Sequence, residues 1–370
     1  MGACPRRSPY ETALLDWLGC AVRGAEEPAA RAAAAAGAGL LERVAALGAA
    51  GHVLDFDDTY LPGIAHLSAP VAPAALALAA DLGATVGDAL DAYAAGFEAM
   101  GALARSSHPG LYDRGFHPTA VCGAAGAAVA AARLLGAPED AAVAIALLRA
   151  GGLRAAFGSD GKALQVGLAA AAGVQAARLA AAGATVPRAR VAAAWAEAYG
   201  GSLATPGPPA VDQNWIKAWP CCLQTHGAIE CALSLDAPPD GRITVRAHPV
   251  SRQAAGYDDV ATPLQAKFSI PYLAAYALLH GEPRVESFTA IDPAARELAA
   301  GIAVETDPGL AESEFVLLVG SDEVAHVRAA RGSPDNPLTD DQLADKLHAL
   351  AGTRLDGALD DPAVPADELL

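Results

Sequence analysis

The chain predicts a mainly α protein: an all-helical domain followed by a smaller α+β domain. Three observations carry that prediction. Alanine-rich segments with helix-capping signals run from residue 8 to about 198. A breaker cluster, ATPGPP at 204–209, then interrupts the helical pattern. Beyond Cys231, short β-type segments appear before one last capped helix. At 370 residues the chain is long enough for a large core and two domains.

The elements follow from local signals in order. Ser8-Pro9-x-Glu11 is a capping box with proline at the first helical position, opening a helix to about residue 22. Residues 28–40 are low-complexity alanine and glycine, either a helix or a loose connection. Helices are then expected at about 41–54, 69–82, 86–104, 119–135, 138–157, 162–183 and 187–198, punctuated by Gly83, Pro138, Asp160-Gly161 and Pro187. Alanine and glycine on their faces imply close packing. Strands are expected at 242–248, 302–306, 314–319 and 324–329, with helices at about 263–280 and 288–299. Thr339-Asp-Asp-Gln342 is a second capping box, starting a helix to about 350 that returns to the first domain.

Charge and composition exclude several function classes. The formal net charge is −17 and the pI near 4.8, so nucleic acid and anionic membrane surfaces are not expected partners. Mean hydropathy is only +0.27, and no stretch of roughly 20 strongly apolar residues reads as a membrane span. Arg6 and Arg7 lead into Ser8-Pro9-Tyr10-Glu11 rather than a signal-type apolar run. Six cysteines, including adjacent Cys221 and Cys222, fit no disulfide framework and point to a reduced cytoplasm.

Residues 52–68, HVLDFDDTYLPGIAHLS, concentrate the chemistry: Asp55, Asp57, Asp58, His52, His66 and Thr59 ahead of an apolar helix. Such a cluster is costly to bury unless mutually hydrogen-bonded; the alternative is a polar loop with a satisfied core histidine. Of 25 Lys+Arg only four are lysines, Lys162, Lys217, Lys267 and Lys346. In so arginine-biased a chain a surviving lysine marks a place where a compact ammonium of tunable pKa is needed, the alternative being an ordinary surface charge. GSDGK lacks the first glycine of a phosphate loop, and there is no GxGxxG, HExxH or zinc-type cysteine spacing. The DFDD run with His52 and His66 could hold a divalent cation, but a hard-cation site gathers more carboxylates, so no metal is expected.

Four blocks then carry a resemblance: HVLDFDDTYLPGIAHLSAPVAPAALALA, GFHPTAVCGAAGAAVAAARLLG (115–136), FGSDGKALQVGLAAAAGVQAA (157–177) and KAWPCCLQTHGAIECAL (217–233). With GSPDNPLTDDQLADKL (332–347) as a fifth, they resemble, in order, the MmgE/PrpD family, which includes 2-methylcitrate dehydratase, cis-aconitate decarboxylase and an iminodisuccinate epimerase. The resemblance implies a helical domain of residues 1–218 completed by 334–370, an α+β lid of 219–333, an active site between them, a homodimer, and no metal or organic cofactor. Matched motif by motif, it implies catalytic roles for His66, His117, Lys217 and Asp55. It implies substrate binding by Lys162, Thr59 and Tyr272, with His226 of QTH alongside. Two positions depart from the family pattern: Tyr60 stands where relatives carry histidine, and Leu223 where arginine is common.

The residue types suit a small anionic di- or tricarboxylate. Proton removal beside a carboxylate builds negative charge that lysines and imidazoles can neutralise in a site excluding water. The expected function is a cofactor-independent lyase, a dehydratase or decarboxylase. The alternatives are an epimerase acting at an acidic α-carbon and a non-catalytic carboxylate binder.

Overall fold

A computed structural model describes residues 7–202 and 206–370. Arg6 and the start of the 204–209 breaker cluster lie outside the described residues. The N-terminal half is helical: α1 (Pro9–Gly24), α2 (Pro28–Ala35), α3 (Leu40–Val53), the two-residue strand β1 (Thr59–Tyr60), α4 (Ser68–Leu82), α5 (Val86–Ser107), α6 (Gly110–Asp113), α7 (Pro118–Leu135), α8 (Glu139–Leu147), α9 (Gly161–Ala181) and α10 (Arg188–Tyr199). After β2 (Asn214–Trp215) come α11 (His226–Leu233), β3 (Ile243–Ala247), α12 (Pro249–Ala254), α13 (Pro263–Ala266), α14 (Ile270–His280), α15 (Pro293–Ala299), β4 (Ala303–Thr306), β5 (Phe315–Val319), β6 (Asp322–Val327) and α16 (Asp340–Ala351). The fold is therefore mainly α with a small α+β portion.

Small residues decide how the helices pack. Helix α7 lies at the centre, against α4, α5, α8 and α9, and buries every residue from Pro118 to Ala132, most of them alanine or glycine. Gly167 of α9 crosses α3 so closely that a methyl there would collide with the Ala45 carbonyl. By length and composition α7 and α9 could each cross a bilayer, which corrects the sequence reading. Within the fold 83% and 61% of their apolar windows are buried, as suits core helices. Both capping boxes form: Ser8 with Glu11, and Thr339 with Gln342. Helix α16 packs on α1, where Gly19 admits Leu350, and the chain end returns to α4 and α5, with Val86 N–H bonded to Val364 O.

The second half is built on a four-stranded sheet ordered β4-β3-β5-β6, with β3 and β4 parallel and the other pairs antiparallel. Trp219, Phe268, Tyr272 and Phe315 form the core beside it. Three long helices expected from the sequence are shorter. The stretch 138–157 ends at Leu147, because Gly151-Gly152 breaks it and Gly152 sits at φ 146°. Residues 263–280 split at Lys267–Ser269, where Ser269 caps a new helix. Residues 288–299 start only at Pro293, behind an Asp292 cap. The β1–β2 pairing, Thr59 opposite Trp215, was not anticipated. It places residue 217 beside the 54–59 loop.

Candidate active site

Helix α3 ends at Val53, and its exposed carbonyls would be orphans without donors beyond the helix. Asp55 turns the chain there with φ 54°, a left-handed conformation that aspartate tolerates better than most residues but still strained. All four lysines of the chain converge on this turn. Lys267 Nζ donates to Leu54 O (2.5 Å), Lys217 Nζ to Asp55 O (2.9 Å), and Lys346 Nζ to Phe56 O (2.9 Å). The fourth, Lys162, ion-pairs with Asp55 Oδ1 at 3.3 Å. Three ammonium groups thus satisfy the three successive carbonyls of the turn just past the negative end of α3. This explains why arginine did not replace them: a planar fork is too wide for a buried site that needs a compact donor.

Lys217 is the most enclosed of the four. It is fully buried, and its three N–H groups are all engaged, by Asp55 O, Asp55 Oδ1 (2.5 Å) and Cys221 O (3.0 Å). Burial opposes its charge, but Asp55 outweighs this and holds its pKa above the ordinary lysine value. Lys162 differs. It lines a cavity, and burial lowers its pKa despite Asp55. Asp55 itself, although burial raises its pKa, is carried well below the usual carboxylate range by Lys162 and Lys217.

Asp57 organises the imidazoles. Its Oδ2 lies 2.8 Å from His52 Nδ1 and 3.1 Å from His66 Nδ1. The ionised carboxylate can only accept, so both histidines present Nδ1–H to it. His52 Nε2 is then an acceptor, and Lys162 Nζ donates to it at 2.8 Å. His66 Nε2 is left with a free lone pair 3.7 Å from Asp55 Oδ1. Burial pushes the His66 pKa down to about 3, so the ring is neutral. Thr59 Oγ1 sits 3.3 Å from His66 Nδ1, and Thr119 Oγ1 accepts the His66 backbone N–H. His117, the residue ahead of α7, stacks 5.9 Å from His52; burial, then Lys162, lowers its pKa well below the ordinary value. Asp55, Thr59, His66, His117 and Lys162 together form the polar wall of the cavity. Leu61, Ile64, Phe157, Leu223 and Phe268 form its apolar wall.

The site residues expected from the sequence thus fall into two groups. Asp55, Thr59, His66, His117 and Lys162 meet at the cavity, with Lys217 directly behind Asp55. Tyr272 and His226 do not line it. The Tyr272 hydroxyl accepts the Asp292 backbone N–H at 3.0 Å, because the first turn of α14 faces α15 rather than the 52–68 loop. His226 is fully buried, 5.0 Å from the Trp219 ring, with its pKa lowered by burial to about 3. Sequence reasoning placed His52 and Asp57 in the polar cluster and weighed them as cation ligands, but gave them no catalytic or binding role. It missed Gln165, which shares a helix face with Lys162 at i+3. His52, Asp57 and His66 have the composition of a cation site, with ligand atoms within 4.8 Å of one another. Both Nδ1 atoms, however, already meet the same Asp57 oxygen at hydrogen-bond distance.

A helical fold with a small α+β portion thus carries a buried carboxylate–imidazole–ammonium cluster beside a cavity, the arrangement that acid–base active sites use. Two family models match the chain: the MmgE/PrpD N-terminal domain over residues 40–202 and the MmgE/PrpD C-terminal domain over 219–362. The chain belongs to the MmgE/PrpD family. It is similar to the cis-aconitate decarboxylase of Homo sapiens, 28% identical over 348 residues covering 83% of this chain and 72% of that protein. It is similar to that of Mus musculus at 28% over 351 residues, covering 83% and 71%. Membership and these relatives support an enzyme of the lyase kind.

Proposed function

We propose that this chain is a cofactor-independent lyase acting on a small carboxylic acid, with His66 Nε2 as the base that takes a proton from the substrate carbon and, once protonated, returns it. The supporting observation is the His66 ring: neutral, oriented by Asp57 through Nδ1, and presenting an unshared Nε2 lone pair beside the cavity. Lys162 is the ammonium facing the cavity and would hold the substrate carboxylate, with Thr59 as an added donor. Lys217 serves as the fixed counter-charge that keeps Asp55 ionised behind Lys162. Because its protons are spent, it is not assigned a proton-transfer role. As charge builds next to the carboxylate, the Lys162 ammonium, already fixed in place, stabilises it with little reorganisation.

The apolar wall favours a small acid that sets its carboxylate against Lys162 and a hydrocarbon portion against Leu223 and Phe268. Leu223 supplies an alkyl surface where an arginine would supply a second anion clamp. Such a substrate suits loss of carbon dioxide or water next to a double bond, and the similar decarboxylases make decarboxylation the first reaction to try. A homodimer in a reducing cytoplasm is part of the same proposal.

The test is a panel of small unsaturated and hydroxylated di- and tricarboxylic acids, incubated with enzyme in D₂O and followed by proton NMR. The expected outcome is cleaved product: with solvent deuterium at the carbon that loses carbon dioxide, or as the alkene stripped of its C–H where water is lost. Epimerised substrate with no bond cleavage would replace this reading with an isomerase, and binding with neither turnover nor exchange would remove catalysis altogether.

A further inference from the structure

Gln165 of α9 touches His117 but is assigned no role by the chemistry above. Its Nε2 donates to His117 Nδ1 at 2.7 Å. The same amide faces the backbone of Leu153: Oε1 accepts Leu153 N–H at 2.9 Å, and Nε2 also donates to Leu153 O at 3.3 Å. That pair of contacts fixes the direction of the amide. A flipped side chain would set its NH₂ against the Leu153 N–H and its oxygen against the Leu153 carbonyl. Leu153 is itself held in place. It bridges Phe116, His117 N–H bonds Gly152 O at 3.0 Å, and Arg154 N–H bonds Gly115 O at 2.9 Å. The break in the helix after Leu147 therefore has a use, since it delivers an extended Leu153 to orient Gln165.

We propose that Gln165 is a positioning residue that locks His117 as the neutral tautomer with its proton on Nε2. His117 then faces the cavity as a hydrogen-bond donor, while His66 faces it as an acceptor. Two imidazoles in one pocket are given opposite roles by what binds their Nδ1 atoms: a carboxylate for His66, an amide NH₂ for His117. The groups around His117 agree with a neutral ring. Burial first, then Lys162 from α9, His52 from α3 and His66 from the following loop, disfavours a charge on it, with Asp55 opposing them. Deepening the proposed lyase reading, this makes His117 the group that hydrogen-bonds the developing anion.

The test compares wild type with Gln165→Glu, nearly isosteric but able only to accept at Nδ1 when ionised, using protein labelled with ¹⁵N-histidine. His117 resonances are those that vanish in His117→Gln. Long-range ¹H–¹⁵N spectra at pH 7 should show wild-type His117 protonated on Nε2 alone, and Gln165→Glu protonated on Nδ1 or on both nitrogens. The variant should also lose kcat by about 10- to 100-fold, with KM changed less and the acidic limb of its pH profile moved up. Wild-type His117 protonated on Nδ1, or a tautomer unchanged in Gln165→Glu, would overturn the proposal. So would a changed tautomer with kcat and pH profile intact. If no acid in the panel turns over, the lyase reading fails while the spectra still decide the tautomer. Gln165→Leu, with matching near-ultraviolet circular dichroism, guards against a misfolded glutamate variant.

Discussion

Replacing Lys217 with methionine should unfold this protein far more readily than replacing Lys162, although both ammonium groups touch the same carboxylate oxygen. Lys217→Met leaves Asp55 O and Cys221 O without their donor and strips Asp55 of its nearest cation. Breaking a fully buried pair from one side costs about 3–5 kcal/mol, and each lost carbonyl bond adds about 1 kcal/mol. The remaining Lys162 at 3.3 Å recovers part of this, so a net loss of about 4–6 kcal/mol is expected. In Lys162→Met the Asp55 carboxylate keeps Lys217 at 2.5 Å, and only His52 Nε2 loses its partner. That change should cost about 1–3 kcal/mol while abolishing most activity. Urea unfolding at equal protomer concentration, followed by circular dichroism and tryptophan fluorescence, gives the comparison. Equal destabilisation within about 1 kcal/mol, or full stability in Lys217→Met, would refute the division of labour between the two lysines.

Three further outcomes follow from burial. An amine-reactive reagent applied to the folded protein should spare all four lysines, none more than 7% exposed, and label them only after denaturation; mass spectrometry of the digest reads this directly. Burial pushes the Asp58 carboxyl up to about 8, so the folded state holds a proton that the unfolded chain releases near pH 4, and stability falls as pH rises between those values. Asp58→Asn should remove that loss and be more stable than wild type at pH 8 by about 2–5 kcal/mol in denaturant melts, with the gain shrinking towards pH 4. His226 has the opposite sign: its folded pKa of about 3 lies below the unfolded value, so stability is lost as pH falls through about 6.5. His226→Gln should lose about 1–2 kcal/mol less than wild type between pH 6.5 and 5.

Much of the fold was legible because capping and breaker residues act locally. Ser8, Thr339, Gly83 and Pro138 mark their boundaries where the structure has them. The errors came from non-local causes. Nothing in 138–157 other than Gly151-Gly152 warned that the chain would leave the helix to meet Phe116, and β1–β2 pairs two residues with two others more than 150 positions away. At the site, the 52–68 block and the scarcity of lysine pointed to the right place. The division of roles was not legible. It depends on which atoms surround each group: three acceptors around Lys217 Nζ, one carboxylate between His52 and His66, and an amide beside His117. Tyr272 shows the converse, a residue of suitable chemistry that the packing of α14 against α15 turns away.

The central claim is that His66 moves the proton at the substrate carbon without help from a metal ion. The most direct measurement is single-turnover deuterium incorporation in D₂O, with EDTA-treated wild type and EDTA-treated His66→Asn, on the panel acid that turns over. The account predicts that wild type retains its full rate after EDTA and that His66→Asn slows carbon–deuterium exchange by about 10³-fold while still binding the acid through Lys162. Loss of wild-type exchange on EDTA treatment with recovery on adding a divalent cation, or undiminished exchange in His66→Asn, would contradict it.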